Sequence, residues 1–302
     1  MKDTNPIYTP TIDNYRSYED DDVRFIPTGI RTLDKAINDL ATKEVTVVTG
    51  KTKEGKSTFI HRIMLNAIDK GYCVLLVDGE HNITFLINSL YRMVIGNSAN
   101  TYTAIPYNKK KMVKPKYPVL EMITNWHKDK LHIFTKYLAP INTLEDLFDF
   151  TKTKVGLLKV DLVIFDNLMV LVDGTQAERT ENQSRFMKRV TDLAKSSNVH
   201  CIVASHPNKE AKSTPLMNVY DVSGSSDIVN LTSNLIQVVR NFDESKDYDG
   251  LIRLMLNRLY GDVVDIPTKF DKERRCLFEM NGLGDAITYD FNWQGKGKQI
   301  KL

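Results

Sequence analysis

Residues 45–58 read Val45-Thr46-Val47-Val48-Thr49-Gly50-Lys51-Thr52-Lys53-Glu54-Gly55-Lys56-Ser57-Thr58, a β-branched run that opens into the spacing G-x-x-x-x-G-K-S. A strand before the motif and an amphipathic stretch from Thr58 to Lys70 after it are the context in which this spacing forms a phosphate-binding loop. Gly50 and Gly55 have no Cβ, so the backbone can wrap a polyphosphate closely. The N–H groups from Gly50 to Thr58, together with the N-terminus of the next helix, then point at the anion. Lys51, Thr52, Lys53 and Glu54 fill the loop between the glycines. Lys56 is expected to reach the β and γ phosphates, and Ser57 to offer its hydroxyl to Mg²⁺. The stretch predicts nucleotide binding on an α/β scaffold.

The rest of a phosphate-processing site can be sought at the ends of other apolar runs. Leu162-Val163-Ile164-Phe165-Asp166, with Asn167 beside it, supplies a carboxylate for Mg²⁺. Val74-Leu75-Leu76-Val77-Asp78-Gly79-Glu80 places Glu80 as a general base for water, with Asp78 as its rival, on a strand expected to adjoin the loop. Cys201-Ile202-Val203-Ala204-Ser205-His206 ends in a histidine placed to sense a γ phosphate and pass a signal onward. A polar loop comes next, Pro207 to Pro215, carrying Asn208, Lys209 and Lys212. Beyond it, Asp221 to Asp227 includes Ser223 and Gly224 and is rich in groups that bind phosphate oxygens.

Strand-like and helix-like stretches alternate, which predicts a mainly parallel sheet flanked by helices. The strands expected are Val45–Val48, Cys73–Val77, Leu131–Phe134, Leu162–Phe165, Val199–Ala204, Leu235–Val239 and Leu251–Leu256. Helical spacing covers Ile60–Ile68, Thr143–Phe150 and Ser184–Ala194, with Thr143 as a cap and Asp146 three residues on. Three segments break the rhythm: a polar arm at 1–27, a basic stretch at 97–130 read as a solvated insertion, and a flexible basic tail at 291–302. The central block, 28–290, is the expected main α/β domain.

Composition narrows the class. The 302 residues are 42% hydrophobic, enough for a real core, and the formal charge of +3 leaves any nucleic-acid site to a local stripe. Three dispersed cysteines exclude a disulfide scaffold or a cysteine-rich zinc site, and Cys73 and Cys201 read as buried small hydrophobes. Neither a secretory signal nor a presequence nor a membrane-length apolar stretch is evident, so a soluble protein of the cytoplasm is expected, the host's if phage-encoded.

The order of motifs resembles the RecA-like motor domain of DnaB-class hexameric replicative DNA helicases, most closely the phage primase-helicase and Twinkle branch. The resemblance opens at Pro27-Thr28-Gly29-Ile30-Arg31-Thr32-Leu33-Asp34 and runs through Glu80, Asp166, His206 and Gly224-Ser225 to Leu256-Asn257-Arg258-Leu259-Tyr260-Gly261-Asp262. It implies a RecA-like fold that binds ATP or a dNTP with Mg²⁺. It also implies Arg258 as a finger into the neighbouring subunit's nucleotide, and Arg240 with Phe270 sandwiching the base. Asn208, Lys209, Lys212, Ser223 and Gly224 become pore-loop contacts to single-stranded DNA. The partners implied are single-stranded DNA, copies of the chain in a hexameric ring, and a separate primase or polymerase. Many relatives carry a lysine two residues before the finger where this chain has Leu256, with Arg253 the nearest substitute. The competing readings are a RecA/RadA-like recombination ATPase and a non-unwinding loader or scaffold.

Overall fold

The computed structural model describes residues 22–95, 102–107, 110–138, 141, 143–167, 176–207, 216–222, 226–241, 243–272, 274–287 and 291–293. In chain order the elements are β1 (Phe25–Ile26), α1 (Arg31–Ile37), β2 (Leu40–Ala41), β3 (Val45–Thr49), α2 (Lys56–Asp69), β4 (Val74–Asp78) and α3 (Ile83–Val94). There follow β5 (Tyr102–Tyr107), β6 (Lys110–Pro115), α4 (Tyr117–His127), β7 (Leu131–Thr135), α5 (Leu144–Leu158), β8 (Leu162–Asp166), α6 (Gln176–Ser197) and β9 (His200–Ala204). The chain closes with α7 (Ser226–Asn230), β10 (Asn234–Arg240), β11 (Gly250–Asn257), β12 (Val264–Asp271) and β13 (Cys276–Glu279).

Nine strands form one sheet in the order β13-β12-β11-β10-β3-β9-β8-β4-β7. The six from β10 to β7 run parallel, and β11, β12 and β13 extend the β10 edge by antiparallel pairing. All seven expected strands are present, and the mainly parallel α/β sheet is the observed class. Successive side chains on a strand face opposite ways, and both faces here are covered. Val48, Leu76, Ile164, Ile202 and Ile236 pack under α1, α2, α3 and α4; Val47, Leu75, Phe165, Val203 and Leu235 pack under α5, α6 and α7. Strands buried on both faces read as unbroken apolar runs, which is why these were legible.

Several boundaries differ from the sequence expectation. The arm ends earlier, because Phe25–Ile26 pairs with Leu40–Ala41 and Ile26 is fully buried. Within the stretch read as a solvated insertion, β5 and β6 form a hairpin, and α4 buries Val119 and Ile123 in the main core. The lysine-rich composition had masked an amphipathic helix. At the other end Phe291 and Trp293 are buried, Phe291 ring against Trp126, and the Asn292 N–H donates to Asp69. The packed chain thus reaches Trp293, three residues into the expected tail. Thr143 caps α5 as expected, its hydroxyl accepting from the Asp146 N–H. Cys73, Cys201 and Cys276 are all buried. Among the described residues no helix is long and apolar enough to cross a membrane.

Candidate active site

The loop Gly50–Ser57 joins β3 to α2, and its geometry uses both glycines. Gly50 has φ 151, and a Cβ there would stand 2.4 Å from the Val238 carbonyl oxygen of β10; Gly55 caps α2 with φ 97 in the left-handed region. The loop is tied by the Glu54 carboxylate, which accepts from the Lys51 N–H at 2.7 Å. Lys56 is 8% exposed and donates from Nζ to the carbonyls of Gly50 (2.6 Å) and Lys51 (3.1 Å), so its ammonium sits inside the loop mouth. Burial lowers the Lys56 pKa, an effect opposed by the carboxylates of Asp166, Glu54 and Glu80.

A clamp behind α2 explains the opening signature Pro27–Asp34. The Asp34 carboxylate accepts from the Thr28 N–H and hydroxyl and from the Gly29 N–H. From α2, Asn66 donates to the Pro27 carbonyl and Arg62 donates twice to the Gly29 carbonyl. Gly29 has φ 78, and a Cβ there would lie 2.5 Å from the Asn66 side chain. This signature therefore buttresses the helix whose N-terminus faces the phosphate loop.

Three more parallel strands, β9, β8 and β4, deliver the remaining groups to the same edge. β9 lies between β3 and β8, so His206, two residues past its end, stands between the loop and Asp166. Asp166 ends β8, 2% exposed, and burial raises its pKa against a hydrogen bond from Ser57. Its Oδ2 is buried without a hydrogen-bond partner among the described residues. A hydroxyl beside a buried carboxylate with an open oxygen is a hard donor pair that fits Mg²⁺.

Glu80 follows β4, which the sheet order separates from β3 by two strands rather than placing it next to the loop. It reaches the site because Asp78 and Asp166 are in register and the Gly79 N–H bonds the Asp166 carbonyl. Asp78, the rival base, is fully buried. Its oxygens accept from the backbone N–H groups of Glu80 (2.8 Å) and His81 (2.6 Å) and meet His81 Nδ1 at 3.0 Å. A carboxylate so engaged anchors the turn that presents Glu80. That bond to Asp78 raises the His81 pKa. From α2, His61 joins Asp78 and Asp166 in a buried group whose ligand atoms lie within 4.8 Å of one another.

Sequence reasoning places Asn167 only as a neighbour of Asp166. Its side-chain amide donates to Glu80 and lies 3.2 Å from His206 Nε2, linking two expected site residues. The signal was available: a polar residue directly after a buried strand-ending carboxylate needs a partner.

The antiparallel side behaves differently. Arg240, exposed at the end of β10, and Phe270 on β12 share the loop's edge of the sheet but are separated by β11. Phe270 packs partly on the core, and its N–H donates to Asp249. Arg258 follows β11, which runs the other way, and so stands at the opposite edge. Its N–H bonds the Ser233 carbonyl, and Ser233 in turn bonds Val45 at the start of β3. Five strand residues, roughly 16 Å, separate that point from Gly50. The guanidinium donates to the carbonyls of Thr232 (2.8 Å) and Val229 (3.1 Å), and it borders a cavity of about 150 Å³ that is distinct from the phosphate site. Arg253 is engaged in a cross-strand pair with Asp265. Asn208, Lys209, Lys212, Ser223 and Gly224 lie outside the described residues.

Residues 25–245 match the model of the DnaB-like helicase C-terminal domain. The chain belongs to that family. The DnaB-like domain superposes on a solved structure described as an ATPase domain with a TM-score of 0.70 at 17% identity, covering 85% of this chain and 91% of that one. It is also similar to a DnaB-like replicative helicase solved in a study of its interactions with primase, with a TM-score of 0.69 at 18% identity. That match covers 83% of this chain and 61% of the other. At such identities the likeness is one of fold, a RecA-like helicase ATPase domain. A search of curated proteins gave no match.

Proposed function

We propose that this DnaB-like domain is an NTP-driven motor that moves on single-stranded DNA as a ring and hydrolyses ATP or a dNTP between copies. The observation that carries the reading is the placement of Arg258. It lies at the sheet edge opposite the phosphate loop of its own copy, so it can complete a nucleotide site only in a neighbour.

Within one copy, backbone N–H groups of Gly50–Thr58 and the Lys56 ammonium bind the polyphosphate. Ser57 and Asp166 hold Mg²⁺, which when bound neutralises charge on the phosphates. Glu80 accepts the proton of the attacking water, and His206 reads the γ position. Arg258 of the adjoining copy offsets charge that builds on the transferred group. Arg240 and Phe270 flank the base, and the segments holding Asn208, Lys209, Lys212, Ser223 and Gly224 track the DNA backbone. A hexamer and a separate primase or polymerase complete the proposal.

The test is hydrolysis with and without single-stranded DNA, wild type beside Arg258→Ala, with assembly measured by sedimentation. The expected result is DNA-stimulated hydrolysis that Arg258→Ala lowers about 10³-fold while assembly persists. Hydrolysis indifferent to DNA and to Arg258 would leave a generic phosphate-loop NTPase.

A further inference from the structure

We infer that Asn167 is a positioning residue that couples the sensor His206 to the base Glu80, an inference that rests on the hydrolytic reading above. The ends of β4, β8 and β9 lie side by side with β8 in the middle, so a residue just past β8 faces groups from both flanks. Asn167 is that residue, 3% exposed. Its Nδ2 donates to Glu80 Oε1 and lies 3.2 Å from His206 Nε2. An amide NH₂ cannot accept a hydrogen bond. His206 Nε2 is therefore the acceptor, and the neutral ring carries its proton on Nδ1.

This arrangement has a chemical consequence. To donate from Nε2 to a phosphoryl oxygen, His206 must gain a proton there and give up Asn167. The same planar amide holds the Glu80 carboxylate, so a change of partner at His206 alters the hydrogen bonding of the base. That hydrogen bond fixes the direction of the carboxylate, and with it the oxygen that can face the attacking water. One buried side chain thereby links what occupies the γ position to the readiness of the base.

The experiment uses the full chain with ATP, Mg²⁺ and single-stranded DNA, comparing wild type with Asn167→Ala and with Asn167→Asp, which keeps the volume and removes the donor. Binding of a fluorescent nucleotide is measured alongside kcat, KM and the pH profile. Expected for both variants are nucleotide affinity within about twofold of wild type, kcat with DNA lowered about tenfold or more, and a smaller stimulation by DNA. The acid limb of kcat should move to higher pH, further for Asn167→Asp, whose carboxylate would face Glu80. Wild-type kcat, stimulation and acid limb in a variant that binds nucleotide would overturn the inference, as would loss of nucleotide binding in both variants. A wild-type chain that binds nucleotide and never hydrolyses it would remove the hydrolytic reading itself, a result recognisable before any variant is made.

Discussion

The two halves of the sheet divide the work by strand direction. In the parallel half, β3, β9, β8 and β4 all end at one edge and bring Lys56, His206, Asp166 and Glu80 together. In the antiparallel half, the reversal of β11 carries Arg258 to the far edge, beside the start of β3. Parallel strands thus gather the loop and its polar residues at one edge, and on the reading proposed above one reversed strand offers a cation to a neighbour. An odd reversal is a simple way to make a site need two molecules.

The sharpest test of that division pairs the two halves. Lys56→Ala should abolish hydrolysis, by about 10³-fold or more, and so should Arg258→Ala. If the lesions lie in different copies, mixed assemblies of the two variants should regain a measurable fraction of the wild-type rate, because some interfaces combine an intact loop with an intact Arg258. No recovery in mixed assemblies that sediment like the wild type would place Arg258 outside the neighbour's site.

Core packing offers the next largest effect. Phe165 is fully buried and meets Phe186 edge-on at 5.3 Å and Phe148 at 5.8 Å. Phe165→Ala should cost about 3–5 kcal/mol in urea unfolding, and it should weaken nucleotide binding because Asp166 is the next residue.

How far the sequence could be read tracks the same division. β3, β4, β8 and β9 are buried on both faces, and their apolar runs mark strand and terminal polar residue together. β12 and β13 carry no such mark, because Val264-Asp265-Ile266-Pro267-Thr268 mixes polar residues and a proline into a strand near the sheet's edge. The helix α3 is a different case: its buried residues, Leu86, Leu90, Met93 and Val94, recur at i, i+4, i+7 and i+8, so it was legible as an amphipathic helix and is missing from the sequence expectation all the same. The order of strands, and with it the two strands between Glu80 and the loop, is a tertiary fact that no local pattern carries. Nor does local sequence reveal that Asn167 touches Glu80, 87 residues away.

A pH titration probes the parallel half from its other end. His200 is fully buried, Nδ1 against the Ala41 carbonyl and Nε2 against the Thr46 hydroxyl, and burial pulls its pKa down to about 4. The folded state holds it neutral, so its contribution is present above the unfolded pKa near 6.5 and is lost as pH falls through 4, about 3 kcal/mol in all. Asp34, which burial pushes up to about 6, works in the opposite sense: its contribution is full below about 3.8 and is lost as pH rises through 6. Unfolding measured at about pH 7 and about pH 4.5 for wild type and His200→Gln isolates the histidine. The variant should lose less stability on acidification, and parallel pH curves for the two proteins would refute the assignment.

The smallest effect belongs to the antiparallel side. Arg253 and Asp265 face each other across β11 and β12 at 3.3 Å, both partly exposed. Arg253→Gln should change stability by less than about 1 kcal/mol and leave hydrolysis unchanged. A loss of hydrolysis in an assembled Arg253→Gln protein would instead make Arg253 the second cation that Leu256 does not supply.

The hydrogen bonds of Arg258 set a condition on assembly. In a single copy its guanidinium closes the end of α7 by holding the carbonyls of residues 229 and 232, as a cation at a helix C-terminus does. Those two bonds use two of the five guanidinium N–H groups. On the proposed reading, an interface that drew the whole guanidinium toward a neighbour's phosphate would release those carbonyls, and joining copies would then loosen the end of α7.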